Sequence, residues 1–176
     1  MKGMVFTEFL EMVEAKFSID MVDDILDETN PASGGAYTAV GTYDHQELVD
    51  MVLALSRHSG TPAPELIKNF GQHLFTVFSK NYGIFFENVP DAFTFLYGIE
   101  EVIHAEVIKL YPDAEPPKFQ CKRDGNILYL TYHSHRHFAD LAEGLILGSA
   151  VYFGENFMTQ RDELDENTTL FTLTKH

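Results

Sequence analysis

A single cysteine, Cys121, stands in the 176 residues, so no disulfide framework and no cysteine-based zinc site can form within the chain. Tryptophan is absent, and the aromatic complement is fifteen Phe and eight Tyr, enough to line a flat apolar pocket or simply to fill a core. Positive charge is scarce: 12 Lys and Arg stand against 27 Asp and Glu, giving a net charge of −15. A chain so acidic repels nucleic acid and anionic membranes, which discounts both as partners. The acids are spread along the chain and read mainly as solvated surface. No apolar run approaches membrane-spanning length, and the opening MKGMVF lacks the apolar core of a signal peptide. A cytoplasmic location is expected. The length suits one core better than two.

Apolar spacing predicts a helix over 5–16 and a short second one over about 20–26, followed by a loop at Asn30-Pro31-Ala32-Ser33-Gly34-Gly35. Asp44 can cap a helix running to about His58, with Glu47 three residues on completing a capping box. Pro64 fits a first helical position, and the pattern continues to about Tyr82. Gly71, inside that helix, is explained either by close approach to something bulky or by helix packing. Asp91 can cap one long helix to about Tyr111, apolar over most of its girth and therefore expected to be buried on several sides. Pro112, Pro116 and Pro117 end it. The period then changes: Phe119–Cys121 and Ile127–Tyr132 predict a hairpin, a helix follows over about 137–153, and Leu170–Leu173 reads as a further strand. The expected class is α+β, with helices first, a small antiparallel sheet late, and a helix inserted among the strands. One domain over 1–176 is expected.

Tyr132-His133-Ser134-His135-Arg136 carries most of the functional information. If the stretch is extended, Tyr132, Ser134 and Arg136 share one face. A phenol, a hydroxyl and a guanidinium together suit a carboxylate or phosphate, because guanidinium pairs with planar oxyanions in a fork. Upstream lies His104, within an apolar-periodic segment. A lone histidine there is more often a hydrogen-bonded core residue than a ligand. With an anion clamp downstream, it becomes one ligand for a haem iron beside a grip on the propionates. His133, His135 and His137 fall on the other face, where three ligands on one strand seldom wrap an ion, and exposed polar residues explain them better. An alternative for Arg136 is a surface pair with Asp140, four residues on, and Cys121 is most simply a small buried hydrophobe. No nucleophile motif, Walker loop or dinucleotide fingerprint is present.

These residues resemble the haem nitric oxide/oxygen-binding (H-NOX) family, bacterial gas sensors related to the haem domain of soluble guanylate cyclase. The resemblance runs from Met1-Lys2-Gly3 to at least Phe153. It implies that Tyr132, Ser134 and Arg136 bind the propionates of haem b, that His104 is the proximal iron ligand, and that Pro117 presses on the porphyrin, with the haem buried between the helical part and the sheet. Family members that hold oxygen stably use a distal tyrosine, which falls here on Leu141, and a supporting asparagine, which falls on Leu74. Val5, Phe9, Phe78 and Leu145 complete the implied distal wall. The implied function is a sensor that binds NO and CO at ferrous haem and excludes O2. It would act in trans on a signalling histidine kinase or cyclic-di-GMP enzyme by releasing its proximal histidine. A haem enzyme of peroxidase or NO dioxygenase type is the alternative. It would want polar distal acid–base groups; Leu141 and Leu74 oppose it, with His73 and His45 the nearby candidates.

Overall fold

The structure, a computed structural model, describes residues 1–175. His176, the last residue of the expected domain, lies outside them. The chain divides into two compact units, residues 1–70 and 71–176.

The first unit is helical. α1 (Gly3–Lys16), α2 (Ile19–Thr29), α3 (His45–Ser59) and the first turns of α4 (Ala63–Asn81) enclose Phe6, Phe9, Met12, Val13, Ile25, Leu48, Met51, Leu55 and Phe70, all nearly inaccessible. Ser18 caps α2 by accepting the Met21 N–H at 3.1 Å, which starts that helix earlier than apolar spacing alone implies. Asp44 caps α3 as expected, accepting the Gln46 N–H at 2.9 Å. Glu47 does not close a capping box. Its carboxylate instead accepts from Ser33 N at 3.2 Å, Ser33 Oγ at 2.6 Å and Tyr37 Oη at 2.8 Å, so it orders the preceding loop. Three donors from a loop that would otherwise lack partners outweigh the single N–H a capping box satisfies.

The second unit starts with the rest of α4 and continues through a 3₁₀ turn (Gly83–Phe86). Where one long helix was expected, α5 (Ala92–Tyr97), a π-helical turn (Ile99–His104) and α6 (Ala105–Leu110) follow one another. Asp91 caps α5, accepting the Thr94 N–H at 2.7 Å. The break falls at Gly98, whose low helix propensity and missing side chain permit the wider winding. The expected burial also ends there. No residue of the π turn or α6 is fully buried, and Val102, Ile108 and Leu110 are about half exposed.

Among the described residues the sheet has four antiparallel strands in the order β1-β2-β4-β3: β1 (Lys118–Asp124), β2 (Ile127–His133), β3 (Phe157–Asp165) and β4 (Thr168–Lys175). Register runs Lys118↔His133 to Asp124↔Ile127 across the first hairpin, and Tyr132 pairs with Thr169 on β4. α7 (Ala139–Phe153) connects β2 to β3, the inserted helix that the chain pattern predicts. Leu128, Leu130 and Tyr132 alternate inward on β2, meeting Phe171 and Leu173 of β4, Phe93 and Leu96 of α5, and Ala142 and Ile146 of α7 in one core.

Gly71 is settled by packing. A Cβ built there would lie 2.5 Å from the Leu141 carbonyl oxygen and 2.8 Å from Gly144 Cα, so α4 and α7 touch backbone to backbone. Gly148 serves the same contact against Phe75 Cβ, at 2.6 Å. Gly71→Ala would gain about 1 kcal/mol of helix propensity yet must separate two backbones. A net loss of about 1–3 kcal/mol is expected, read as a lower urea midpoint at unchanged slope.

Candidate functional site

His104 ends the π turn. Its side chain is 13 % exposed, and Nδ1 lies 3.2 Å from Glu100 Oε2. That same oxygen accepts the Phe119 backbone N–H at 2.9 Å, which fastens the π turn to β1. Burial lowers the His104 pKa, and the Glu100 carboxylate opposes that shift. Among the described residues Nε2 has no hydrogen-bond partner. A carboxylate accepts only, so Nδ1 carries the proton and Nε2 the lone pair. The Phe119 ring stands 5.8 Å from the His104 ring and 5.4 Å from that of Tyr132, a short aromatic path from the histidine to the motif.

The motif is not extended throughout. β2 ends at His133, and residues 134–137 turn, with the Ser134 Oγ accepting the Arg136 N–H at 3.2 Å and His137 at φ 54°. The three donors therefore come together through a strand end and a turn, not through alternation on one strand. Tyr132 is buried. Desolvation raises its pKa, opposed by hydrogen bonds with the Ser134 side chain and the Phe138 backbone. Arg136 pairs not with Asp140 but with Glu115, donating to its carbonyl oxygen and its carboxylate, each at 2.7 Å. Asp140 goes to Arg161 at 2.6 Å.

A cleft of about 400 Å³ gathers Pro117, Lys118, His133, Ser134, Arg136 and Asn167. Five cationic or hydrogen-bonding side chains lining one opening suit an anionic group, and the Glu115 carboxylate already shows how the guanidinium grips one. The histidines do not cluster on a metal. His133 Nδ1 meets Thr168 Oγ1 at 3.0 Å, His137 Nδ1 meets the Glu166 carbonyl at 2.9 Å, and among the described residues no group of His, Cys, Asp and Glu could hold an ion.

The remaining expected residues are distributed over both units. In the first, Val5 is half-buried and Phe9 fully buried, its ring 5.3 Å from that of Phe70. In the second, Leu74 is buried on α4, while Phe78 on α4 and Leu141 and Leu145 on α7 are half-buried. Arg161 on β3 holds α7 beside Leu141 through Asp140 and Glu143. Glu100, Glu115 and Phe119 were not anticipated. Glu100 was within reach of sequence reasoning, since it stands four residues before His104, the spacing at which helical side chains meet.

Cys121 is half-buried on β1, its thiol 3.7 Å from the Leu96 carbonyl. Burial, reinforced by Glu100 and Glu101, pushes its pKa up to about 11. Thiolate is the reactive form. Alkylation by iodoacetamide is therefore expected to be far slower than for a free cysteine at pH 8, quickening only as pH nears that value.

The donor set fits a haem: a histidine with one nitrogen held and the other open, and an anion-gripping cleft reached through Phe119 and Tyr132. A family model described as haem-NO-binding matches residues 2–161. The chain belongs to the haem-NO-binding family. Its members are haem-based sensors of NO, CO or O2. No curated protein sequence matches this chain. Solved structures of the family do. The Fe(II) unliganded H-NOX protein from K. algicida is 32% identical with a TM-score of 0.95, over 100% of this chain and 97% of that one. The S. oneidensis H-NOX protein in the Fe(II)NO state is 26% identical, TM-score 0.92, over 100% and 99%. The IWP-051-bound H-NOX from Shewanella woodyi in the Fe(II)CO state is 41% identical, TM-score 0.87, over 100% and 95%. The fold of this haem-NO-binding chain, helices followed by a four-stranded antiparallel sheet, is the fold of those structures. Among the described residues no helix is long and apolar enough to cross a membrane.

Proposed function

We propose that this chain is a sensor, not an enzyme, that binds NO and CO at ferrous haem b, excludes O2, and regulates a signalling histidine kinase or cyclic-di-GMP enzyme in trans when His104 is released. The observation that carries the reading is the His104 ring, with Nδ1 tied to Glu100 and Nε2 open. A haem held there would supply an iron able to bind a diatomic gas such as NO or CO, with His104 as the residue that ties it to the chain. Every other role belongs to the chain. Tyr132, Ser134 and Arg136 would hold the propionates, and Pro117, which lines the cleft with Ser134 and Arg136, would bear on the macrocycle. Arg136 has donors enough to keep Glu115 and still reach an oxyanion.

Gas preference follows from side-chain chemistry. Retention of O2 calls for a hydrogen-bond donor on the distal side. Leu74, Phe78, Leu141 and Leu145 of the second unit offer none, and a polar ligand without a partner is disfavoured by about 1–3 kcal/mol. NO and CO are less polarised and lose less. Release of His104 would leave the thinly packed π turn and α6 free to shift against β1, a movement that a partner preferring one arrangement can read. Both units would act as one sensing domain, at home in the cytoplasm. Absorption spectra of the ferrous protein alone, in air, with CO and with NO test the proposal. Distinct CO and NO spectra with an unchanged spectrum on brief exposure to air are expected; a stable oxygen spectrum, or no Soret band at all, would sink it.

A further inference from the structure

The reading of His104 as the iron ligand leaves open what stands behind the ring. An exposed Glu–His pair four residues apart would mean little, since such helix pairs contribute about 0.3–0.5 kcal/mol. This pair differs in three respects. The histidine side chain is only 13 % exposed, and Glu100 is its one hydrogen-bond partner among the described residues. Glu100 Oε2 also accepts the Phe119 N–H at 2.9 Å, from a residue 19 positions away on β1, so the carboxylate is held from outside its own turn. And the turn is π-helical, with no α-helical ladder to fix the ring's direction.

We infer that Glu100 is a positioning residue: it holds His104 in the Nδ1–H form, aims Nε2, and strengthens Nε2 as a donor to iron. The inference rests on His104 being the iron ligand. Its chemistry is general. A histidine whose second nitrogen donates to a carboxylate is fixed in tautomer and orientation and made more basic, and loss of such a partner typically weakens metal binding about 10–100-fold. The oxygen shared with Phe119 adds a consequence for signalling. Glu100 is where the histidine meets the sheet, so a freed His104 either drags on β1 or leaves Glu100 behind on Phe119.

The test uses the haem-loaded full chain, comparing wild type with Glu100→Gln and Glu100→Ala. The readouts are the iron–histidine stretching frequency of the gas-free ferrous protein and the rate of His104 release after mixing with NO. Wild type should show the stretch. Glu100→Ala should lower its frequency and speed release by on the order of 10–100-fold. Glu100→Gln, whose carbonyl oxygen can still accept both N–H groups but carries no charge, should fall between. If Glu100→Ala does not fold, Glu100→Gln decides alone. An unmoved frequency and release rate in the variants, even with a lower melting temperature, would overturn the inference and reduce Glu100 to a structural brace. Absence of the stretch in wild type would instead remove His104 as the ligand, and the inference with it.

Discussion

His104→Gly supplied with free imidazole is expected to keep a haem absorption band yet lose the response of the polypeptide to NO. The effect should be close to all-or-none, because the covalent link between ring and backbone is what the substitution cuts. Imidazole can occupy the space of the lost ring and present a nitrogen to iron, but it pulls on nothing when displaced. Backbone hydrogen exchange over 99–110 is the measure. That stretch is two short pieces, the π turn and α6, and none of their residues is fully buried, so its local opening should be low in free energy and sensitive to a tether. In wild type NO should change exchange there. In the variant it should not. A persistent NO response without the tether would mean the signal leaves by another route.

Arg136→Ala is expected to lower haem retention by on the order of 10–100-fold, the worth of one hydrogen bond to a charged group at about 1.5–3 kcal/mol. Haem transfer to apomyoglobin would measure it. Arg136→Lys should recover little, because an ammonium lacks the planar fork that now spans the Glu115 carbonyl and carboxylate. The substitution also releases the Glu115–Pro117 segment, whose only side-chain anchor to the turn after β2 is that guanidinium among the contacts described. Glu115→Gln separates the two effects: it keeps the segment's carbonyl contact, removes a competing carboxylate, and should leave retention equal to or better than wild type. Retention unchanged in Arg136→Ala would remove the arginine from the grip.

Much of the fold is legible in the chain because burial is one-sided. Phe6, Phe9, Met12 and Val13 on α1, or Leu48, Met51, Val52 and Leu55 on α3, repeat at helical spacing because one face meets a core. The failures are local and physical. Apolar residues at 93, 96, 103 and 107 keep a roughly helical rhythm straight through a π turn, since one wide turn shifts the phase less than the eye resolves. β3 escapes because it is an edge strand with only Phe157 buried; its Asp162, Glu163 and Asp165 read as surface charge, and charge on an edge is how sheets discourage further pairing. The stretch after Tyr132 alternates like a strand, yet the Ser134 hydroxyl takes the Arg136 amide and turns it. The donors of the candidate site are legible because their chemistry is rare. Glu115 and Phe119 are not, for one reaches Arg136 across 21 residues of chain and the other is joined to His104 and Tyr132 by topology.

Arg161 answers three acids at once: Asp140 and Glu143 on the helix and Glu163 on its own strand. Lys175 answers Asp91 and Glu155, and Arg57 shares Glu28 with His58. With 12 cations for 27 anions, some cations answer several acids at once. Acidic positions outside the helix caps and the contacts of Glu47, Glu100 and Glu115 can be exchanged at little cost, since each is one of many. Arg161 has no understudy among the described ion pairs, and replacing it alone turns three compensated carboxylates into three that repel one another beside the helix that carries Leu141. Tolerance to change in this protein is therefore lopsided by sign.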